Sequence, residues 1–252
     1  MPDIVARPYQ DHDLEGVLDL LKAALGETPI LKRTSELFAW KHLDNPFGRS
    51  ILMVAEIDNR IVGLRALMRW ELDHPSGKLR CVRAVDTATH PDYQRRGIFR
   101  MLTERAVATA ESDGVDLIFN TPNPQSGAGY LSMGWKEVDH IGVMARPVRG
   151  VLRRKSSPLA APDPAEFVDN PVLTRGPVVE VRSSDRLRTP RTQEYLRWRF
   201  TGHPTARYVY ESTETAAVIA RPNIRNGRRE LVISDIFGQS QSKLLRPWLS
   251  QG

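Results

Sequence analysis

The stretch Ala84-Val85-Asp86-Thr87-Ala88-Thr89-His90-Pro91-Asp92-Tyr93-Gln94-Arg95-Arg96-Gly97-Ile98-Phe99-Arg100-Met101-Leu102 concentrates residue types that can hold an anion. A strand pattern ends at His90-Pro91, a basic loop with one glycine follows, and apolar residues then recur at helical spacing. A helix N-terminus presents unpaired N–H groups and the positive end of the peptide dipoles, so a phosphate oxygen is stabilised there. Gly97 lets a ligand approach the main chain where a Cβ would intrude. Arg95, Arg96 and Arg100 add charge complementarity. The segment reads as a diphosphate cradle or, in its plainest form, as a basic surface turn. Along the strand, alternation puts Asp86, Ala88 and His90 on one face and Val85, Thr87 and Thr89 on the other. Cys81 has no His/Asn arrangement to activate it and reads as a small buried apolar residue.

These residues need elements to position them. Val5 and its neighbours form a short strand, and residues 11–25 form a helix with Leu14, Val17, Leu18, Leu21 and Leu25 on one face. Thr34-Ser35-Glu36 opens a second helix that stops before Asn45-Pro46. Strands are expected over 51–57, 61–72 and 79–89, the first two joined by a turn at Asp58-Asn59. A helix led by Gly97 carries Ile98, Met101, Leu102, Ala106 and Ala110. Residues 115–120 read as a buried strand beside parallel neighbours. Residues 124–133 read as a short helix and 135–145 as a returning strand. The order is a mixed α/β layer, not a repeating βαβ chain.

Two motifs in this order resemble the GNAT acyltransferase superfamily. Gln94-Arg95-Arg96-Gly97-Ile98 has the Q/R-x-x-G-x-G/A shape of its acetyl-CoA loop, with His90-Pro91-Asp92-Tyr93 as lead-in. Downstream, Asn123, Tyr130 and Gly134 match N-x-x-A-x-x-x-Y-x-x-x-G-F, with Ser126 for the small residue and Trp135 for the aromatic. The resemblance covers roughly residues 1–147. It implies a mostly antiparallel central sheet flanked by helices and transfer of an acyl group, most simply acetyl, from acetyl-CoA to an amine by direct attack in a ternary complex. It also implies site roles. The backbone of Thr87, Ala88 and Thr89 would pair with the pantetheine arm, and the loop from Gln94 through Arg95, Arg96, Gly97, Ile98 and Phe99 would hold the pyrophosphate. Tyr130 would protonate the departing thiolate, a task that suits a phenol. Asn123 and Ser126 would contact the cofactor or cap their helix. Asp86 is the candidate base, with His90 as its rival. Phe99 departs from the pattern, since the family has a small residue there. Turned onto the buried face it spares the cradle; turned to the cofactor it obstructs it, which would fit a catalytically silent acyl-CoA- or partner-binding module.

The 252-residue composition sets the remaining bounds. With 40% apolar residues the chain can bury a core, and disorder throughout is excluded. One cysteine leaves neither an intrachain disulfide nor a Cys-rich zinc site, and no metal is expected. No apolar run is long enough for a membrane helix, and the N-terminal residues lack a signal-peptide layout, so a cytoplasmic protein is expected. The formal charge of 36 − 30 = +6 suits a phosphate-bearing ligand. No helix-turn-helix, zinc or RNA-recognition signature accompanies it, which makes nucleic acid an unfavoured partner. The expected partners are acetyl-CoA and an amine, with a homodimer as an option.

Three segments follow as domains: 1–147 as the acyltransferase domain, 148–177 as a linker rich in proline and basic residues, and 178–252 as a partial second module. The last rests on an echo. Arg33, Thr34, Glu36, Trp40 and Pro46 recur as Arg191, Thr192, Glu194, Trp198 and Pro204, at the constant offset 191 − 33 = 158. Strands expected at 208–210 and 228–236 would follow, as in a shortened copy of the first module.

Overall fold

The computed structural model describes residues 3–28, 32–140, 142, 170–174, 187–225 and 227–238. Most of the expected 148–177 linker, the basic run 149–155 and residues 141 and 143–145 of the expected returning strand lie outside the described residues.

The chain divides into two compact units, residues 1–139 with 185–190, and residues 140–184 with 191–252. In the first unit, β1 (Val5–Pro8), β2 (Ile51–Ile57), β3 (Arg60–His74), β4 (Gly77–Thr89) and β5 (Leu117–Phe119) form one sheet in chain order. The first four strands pair antiparallel, and β4 pairs with β5 in parallel. Helices α1 (Leu14–Leu25) and α2 (Ser35–His42) lie on one face, and α3 (Ile98–Ser112) on the other. α4 (Pro124–Ser132) follows β5.

Local chemistry explains the elements. Asp58 and Asn59, with φ of 48° and 61°, make the β2–β3 hairpin turn, where short polar side chains tolerate left-handed backbone. Thr34 accepts the Leu37 N–H at 3.2 Å and starts α2. The α1 stripe is shifted from expectation: Val17, Leu20 and Leu21 are buried, whereas Leu25, in the last turn, is exposed. On α3 the buried set is Ile98, Leu102, Thr103, Ala106 and Ala110. Small residues let this helix lie close to the sheet, and Gly63 sets the limit. A Cβ there would sit 2.6 Å from Ile98 Cγ2 and 3.0 Å from Leu102 Cδ1. Gly63→Val should therefore destabilise the unit by about 2 kcal/mol, read as a lower urea midpoint at unchanged m-value.

Two expectations need correction. β5 is three residues long and only half-buried, because its partner strand diverges after Arg83. Residues 135–140 form no strand.

In the second unit a short helix, Gln193–Leu196, runs into a π-turn, Arg197–Thr201, and then into the antiparallel sheet β6 (Val209–Ser212), β7 (Ala216–Arg225) and β8 (Arg228–Gly238). The strands expected at 208–210 and 228–236 fall on β6 and β8; β7 between them was not expected. β7 is apolar for only half its length, and Pro222 within it reads as a break, but Ala216–Ala220 is fully buried.

Candidate functional site

β4 carries a bulge near its C-terminal end. Leu64 pairs with Ala88 and Ala66 with Val85, so Arg65 alone faces both Asp86 and Thr87. The extra residue breaks the alternation expected there. Val85 and Asp86 both turn toward the α1/α2 face, where Val85 packs against the cluster that contains Phe38, Leu64 and Ala88. Thr87 turns the opposite way and accepts from Arg65 Nη1 at 2.7 Å. Asp86 adopts φ +43°, a conformation uncommon for a residue with a Cβ.

What holds Asp86 in that conformation is charge. Its carboxylate accepts from Lys41 Nζ at 2.6 Å, His42 Nε2 at 3.1 Å and Arg33 Nη1 at 3.4 Å. Desolvation pushes the carboxyl pKa up, but Lys41 and His42 outweigh it and hold the group far below the ordinary carboxylate range. His42 is fully buried, and its pKa is pushed down by that burial against the opposing pull of Asp86. A neutral His42 donating from Nε2 to Asp86 leaves Nδ1 to accept from Ser50 Oγ at 3.0 Å.

Ahead of the bulge, after Arg83, β4 and the edge strand β5 separate. β5 meets β4 only at Cys81, Val82 and Arg83. From Ala84 to Thr89 the margin of β4 on that side makes no ladder with β5, leaving outward backbone groups for another extended chain. Cys81 itself is buried, and burial pushes its thiol pKa up to about 11, so the thiolate is scarce at neutral pH.

The strand then enters the loop. His90 accepts the Asp92 N–H on Nδ1 and faces Arg60 Nη2 with Nε2 at 2.8 Å, so both ring nitrogens stabilise the loop. Gln94, Arg95, Arg96 and Gly97 are exposed. Arg95 and Gly97 have φ of 61° and 77°, and the second demands glycine. The first helical bond of α3 runs from the Met101 N–H to the Gly97 carbonyl. The amides of Ile98, Phe99 and Arg100 therefore have no intrahelical acceptor. No heavy atom lies within 4 Å of where a Gly97 Cβ would stand, so space remains open there at the helix start. The arginines are less free than their number suggests. Arg96 stacks at 5.0 Å on the Tyr93 ring, and Arg100 donates to the Ser132 carbonyl.

The Phe99 ring turns toward α4. It is half-buried, does not cover the Gly97 position, and lies sideways against α4, 5.4 Å from the Tyr130 ring and edge-on to it. Gly129 makes room, because a Cβ there would stand 3.0 Å from Phe99 Cε1. Ile98 buries its side chain in the core and leaves only its amide to the loop.

α4 is fixed at its start by Asn123, whose Oδ1 accepts from Ser126 N at 2.8 Å and Ser126 Oγ at 2.9 Å. The capping alternative for this pair is thus the one its geometry displays. One turn later Tyr130 is 5% exposed, with its ring 4.8 Å from Trp135 and its hydroxyl accepting from Arg65 Nη1.

The bulge therefore gathers Thr87, Tyr130 and Phe99 on one face and Asp86 on the other. Asn123 and Ser126 stay at the helix cap, and Gln94–Gly97 at the loop. Arg65, Lys41 and His42 escaped the sequence reading. Arg65 had a signal: a lone charge inside the apolar run Ile61–Met68. Among the described residues no group of three or more His, Cys, Asp or Glu is placed to hold a metal, and no helix is long and apolar enough to cross a membrane.

Among solved structures, a protein of unknown function from Enterococcus faecalis, described as a probable N-acyltransferase, matches 99% of this chain and 62% of its own, at 13% identity and TM-score 0.62. A predicted acetyltransferase from Clostridium acetobutylicum, solved with acetyl-CoA, matches 61% of this chain and 99% of its own, at 17% identity and TM-score 0.48. A GCN5-related N-acetyltransferase from Ralstonia eutropha matches 59% of this chain and 100% of its own, at 23% identity and TM-score 0.45. No curated protein matches the chain. The family model for the acetyltransferase (GNAT) domain matches residues 5–138, more than half of the sequence and nearly all of the first unit, and the chain accordingly belongs to the GNAT acetyltransferase family.

Proposed function

We propose that the first unit transfers an acyl group, acetyl in the first instance, from acetyl-CoA to an amine that attacks directly in a ternary complex. The observation that carries this reading is the run of free amides at Ile98–Arg100, beside open space at Gly97, at the end of a strand whose margin is unladdered from Ala84 onward. A diphosphate suits the former and an extended amide-bearing arm suits the latter. In this assignment Gln94, Arg95, Arg96, Gly97, Ile98 and Phe99 hold the pyrophosphate through loop backbone and charge. Thr87, Ala88 and Thr89 offer β4 backbone to the pantetheine arm, whose thioester supplies the activated acyl group. Asn123 and Ser126 set the angle of α4 beneath it.

Tyr130 gives its proton to the sulfur as the C–S bond breaks, while the amine nitrogen forms the new C–N bond and releases its surplus proton to water. Asp86 is reassigned from base to anchor. A carboxylate held by Lys41, His42 and Arg33 is a weak proton acceptor, whereas the same contacts keep the bulge in place.

The second unit is proposed as a shortened copy of the first. Thr192 accepts the Tyr195 N–H at 3.1 Å just as Thr34 accepts that of Leu37, at the same offset, and antiparallel strands follow in both.

Calorimetry with coenzyme A and acetyl-CoA, paired with thiol release across an amine panel, tests the assignment. Binding of both is expected, with turnover for at least one amine. Gly97→Asp places an anion against the diphosphate and strains φ, so its dissociation constant should rise about tenfold or more. Heat without turnover would favour a silent binding module, and no heat at all refutes the proposal.

A further inference from the structure

Arg65 is fully buried in the middle of β3, yet it forms no ion pair among the described residues. Its Nη1 donates to Thr87 Oγ1 and to Tyr130 Oη, while Nε and Nη2 have no partner among the described residues. A buried cation left in this state is expensive, and native proteins rarely keep one without use. The Tyr130 and Phe99 rings, 5.0 and 5.8 Å from Arg65 Cζ, offset part of the cost. Burial pushes the guanidinium pKa down, and the neighbouring Tyr130 oxygen opposes it.

A guanidinium can only donate hydrogen bonds. The Tyr130 oxygen therefore meets Arg65 with a lone pair, and its own proton is left to point at something else. No acceptor for that proton is present among the described residues. The geometry points to Arg65 as the positioning residue of acyl transfer: it commits the Tyr130 hydroxyl to donating and stabilises the phenolate left behind.

The role rests on Tyr130 acting as the acid. When the C–S bond breaks, the electron pair leaves with sulfur, sulfur takes the Tyr130 proton, and the negative charge passes to the oxygen facing Arg65 Nη1. A neutral hydrogen bond becomes charge-assisted at that moment and strengthens. Water reprotonates the phenolate before the next turnover. The groups facing Tyr130 are Arg65 from β3, Phe99 from α3 and Trp135 after α4, and Thr87 from β4 shares Arg65 Nη1 with it. Arg100 from α3 reaches the far end of α4 at Ser132, and Asp86 turns to the opposite face of β4. Arg65 is the charged group in contact with the hydroxyl.

The test uses full-length Arg65→Met and Arg65→Lys, with Tyr130→Phe as the spectral reference. The ultraviolet difference between parent and Tyr130→Phe isolates the ionisation of Tyr130, and Tyr130→Phe made in each Arg65 background does the same there. That ionisation should move up by ~1 pH unit or more in Arg65→Met and by less in Arg65→Lys, since each unit is a tenfold change in phenolate stability. With an active amine, kcat should fall about tenfold or more in Arg65→Met, recover in part in Arg65→Lys, and leave the KM for acetyl-CoA within about threefold. An apolar side chain of similar volume often replaces a buried charge without loss of fold. If Arg65→Met does not fold, Arg65→Lys carries the titration, and its expected shift is the smaller one. An unmoved Tyr130 titration in the folded variant overturns the role of Arg65, whatever happens to turnover. Full turnover in Tyr130→Phe instead overturns the acid assignment, and the titration still decides whether Arg65 stabilises the phenolate.

Discussion

Tyr130→Phe should lower kcat by roughly 10²–10³-fold while leaving acetyl-CoA binding nearly unchanged, a loss within the ~10²–10⁴-fold that general acid catalysis contributes. The substitution keeps the ring, so its packing against Phe99 and Trp135 survives. Only the hydroxyl is lost, and with it the proton for the departing sulfur. A second cost falls on Arg65, which loses one of its two acceptors and keeps Thr87 Oγ1. A buried donor stripped of a partner costs about 1–3 kcal/mol, so the variant should also unfold at lower urea. Steady-state kinetics at saturating amine, run beside a urea titration, separates the two effects. Turnover within threefold of the parent, at equal KM, would remove Tyr130 from the chemistry and leave it as core.

Asp86→Asn should cost about 3 kcal/mol of stability, because it removes the carboxylate and leaves Lys41, His42 and Arg33 converging on a neutral amide. Asparagine tolerates the left-handed backbone at φ +43°, so the change isolates charge from strain. Asp86→Ala would add the strain and should be worse. The pH dependence has a definite sign. The folded carboxyl has a pKa below its unfolded value, so its contribution is complete above about pH 4 and drains away as the pH falls toward the folded value. The difference in stability between parent and Asp86→Asn should stay wide from pH 7 to about pH 5 and close below about pH 4. His42 adds an earlier slope. Burial lowers its folded pKa, so the unfolded chain takes up the proton first and stability declines as the pH drops below ~6.5. A gap that stayed constant down to pH 2 would mean that the ion cluster does not hold the bulge.

Much of this architecture was legible because its signals are local. Helical spacing at Ile98, Leu102, Ala106 and Ala110, the turn pair Asp58-Asn59 and the cap at Thr34 each act within a few residues. The loop at Gln94–Gly97 was legible for the same reason. What escaped depends on partners distant in sequence. Asp86 looks like an available base until Lys41 and His42, brought from α2, are seen to hold it. The bulge is a mismatch between two strands and exists in neither alone, so the alternation rule misplaced Val85. Arg65 was visible as an oddity but not as a partner of Tyr130, sixty-five positions away. Phe99 stood out in the sequence, but the room that Gly129, thirty positions on, leaves for its ring did not.

The brief ladder between β4 and β5 carries a liability as well as an opportunity. An unsatisfied row of peptide groups recruits any passing polypeptide with free N–H and C=O groups of its own, which is how native sheets become seeds for clumping. A molecule that lies along that row shields it. Solutions of this protein should accordingly scatter less light on warming when a tight donor analogue is present, with protection growing with occupancy.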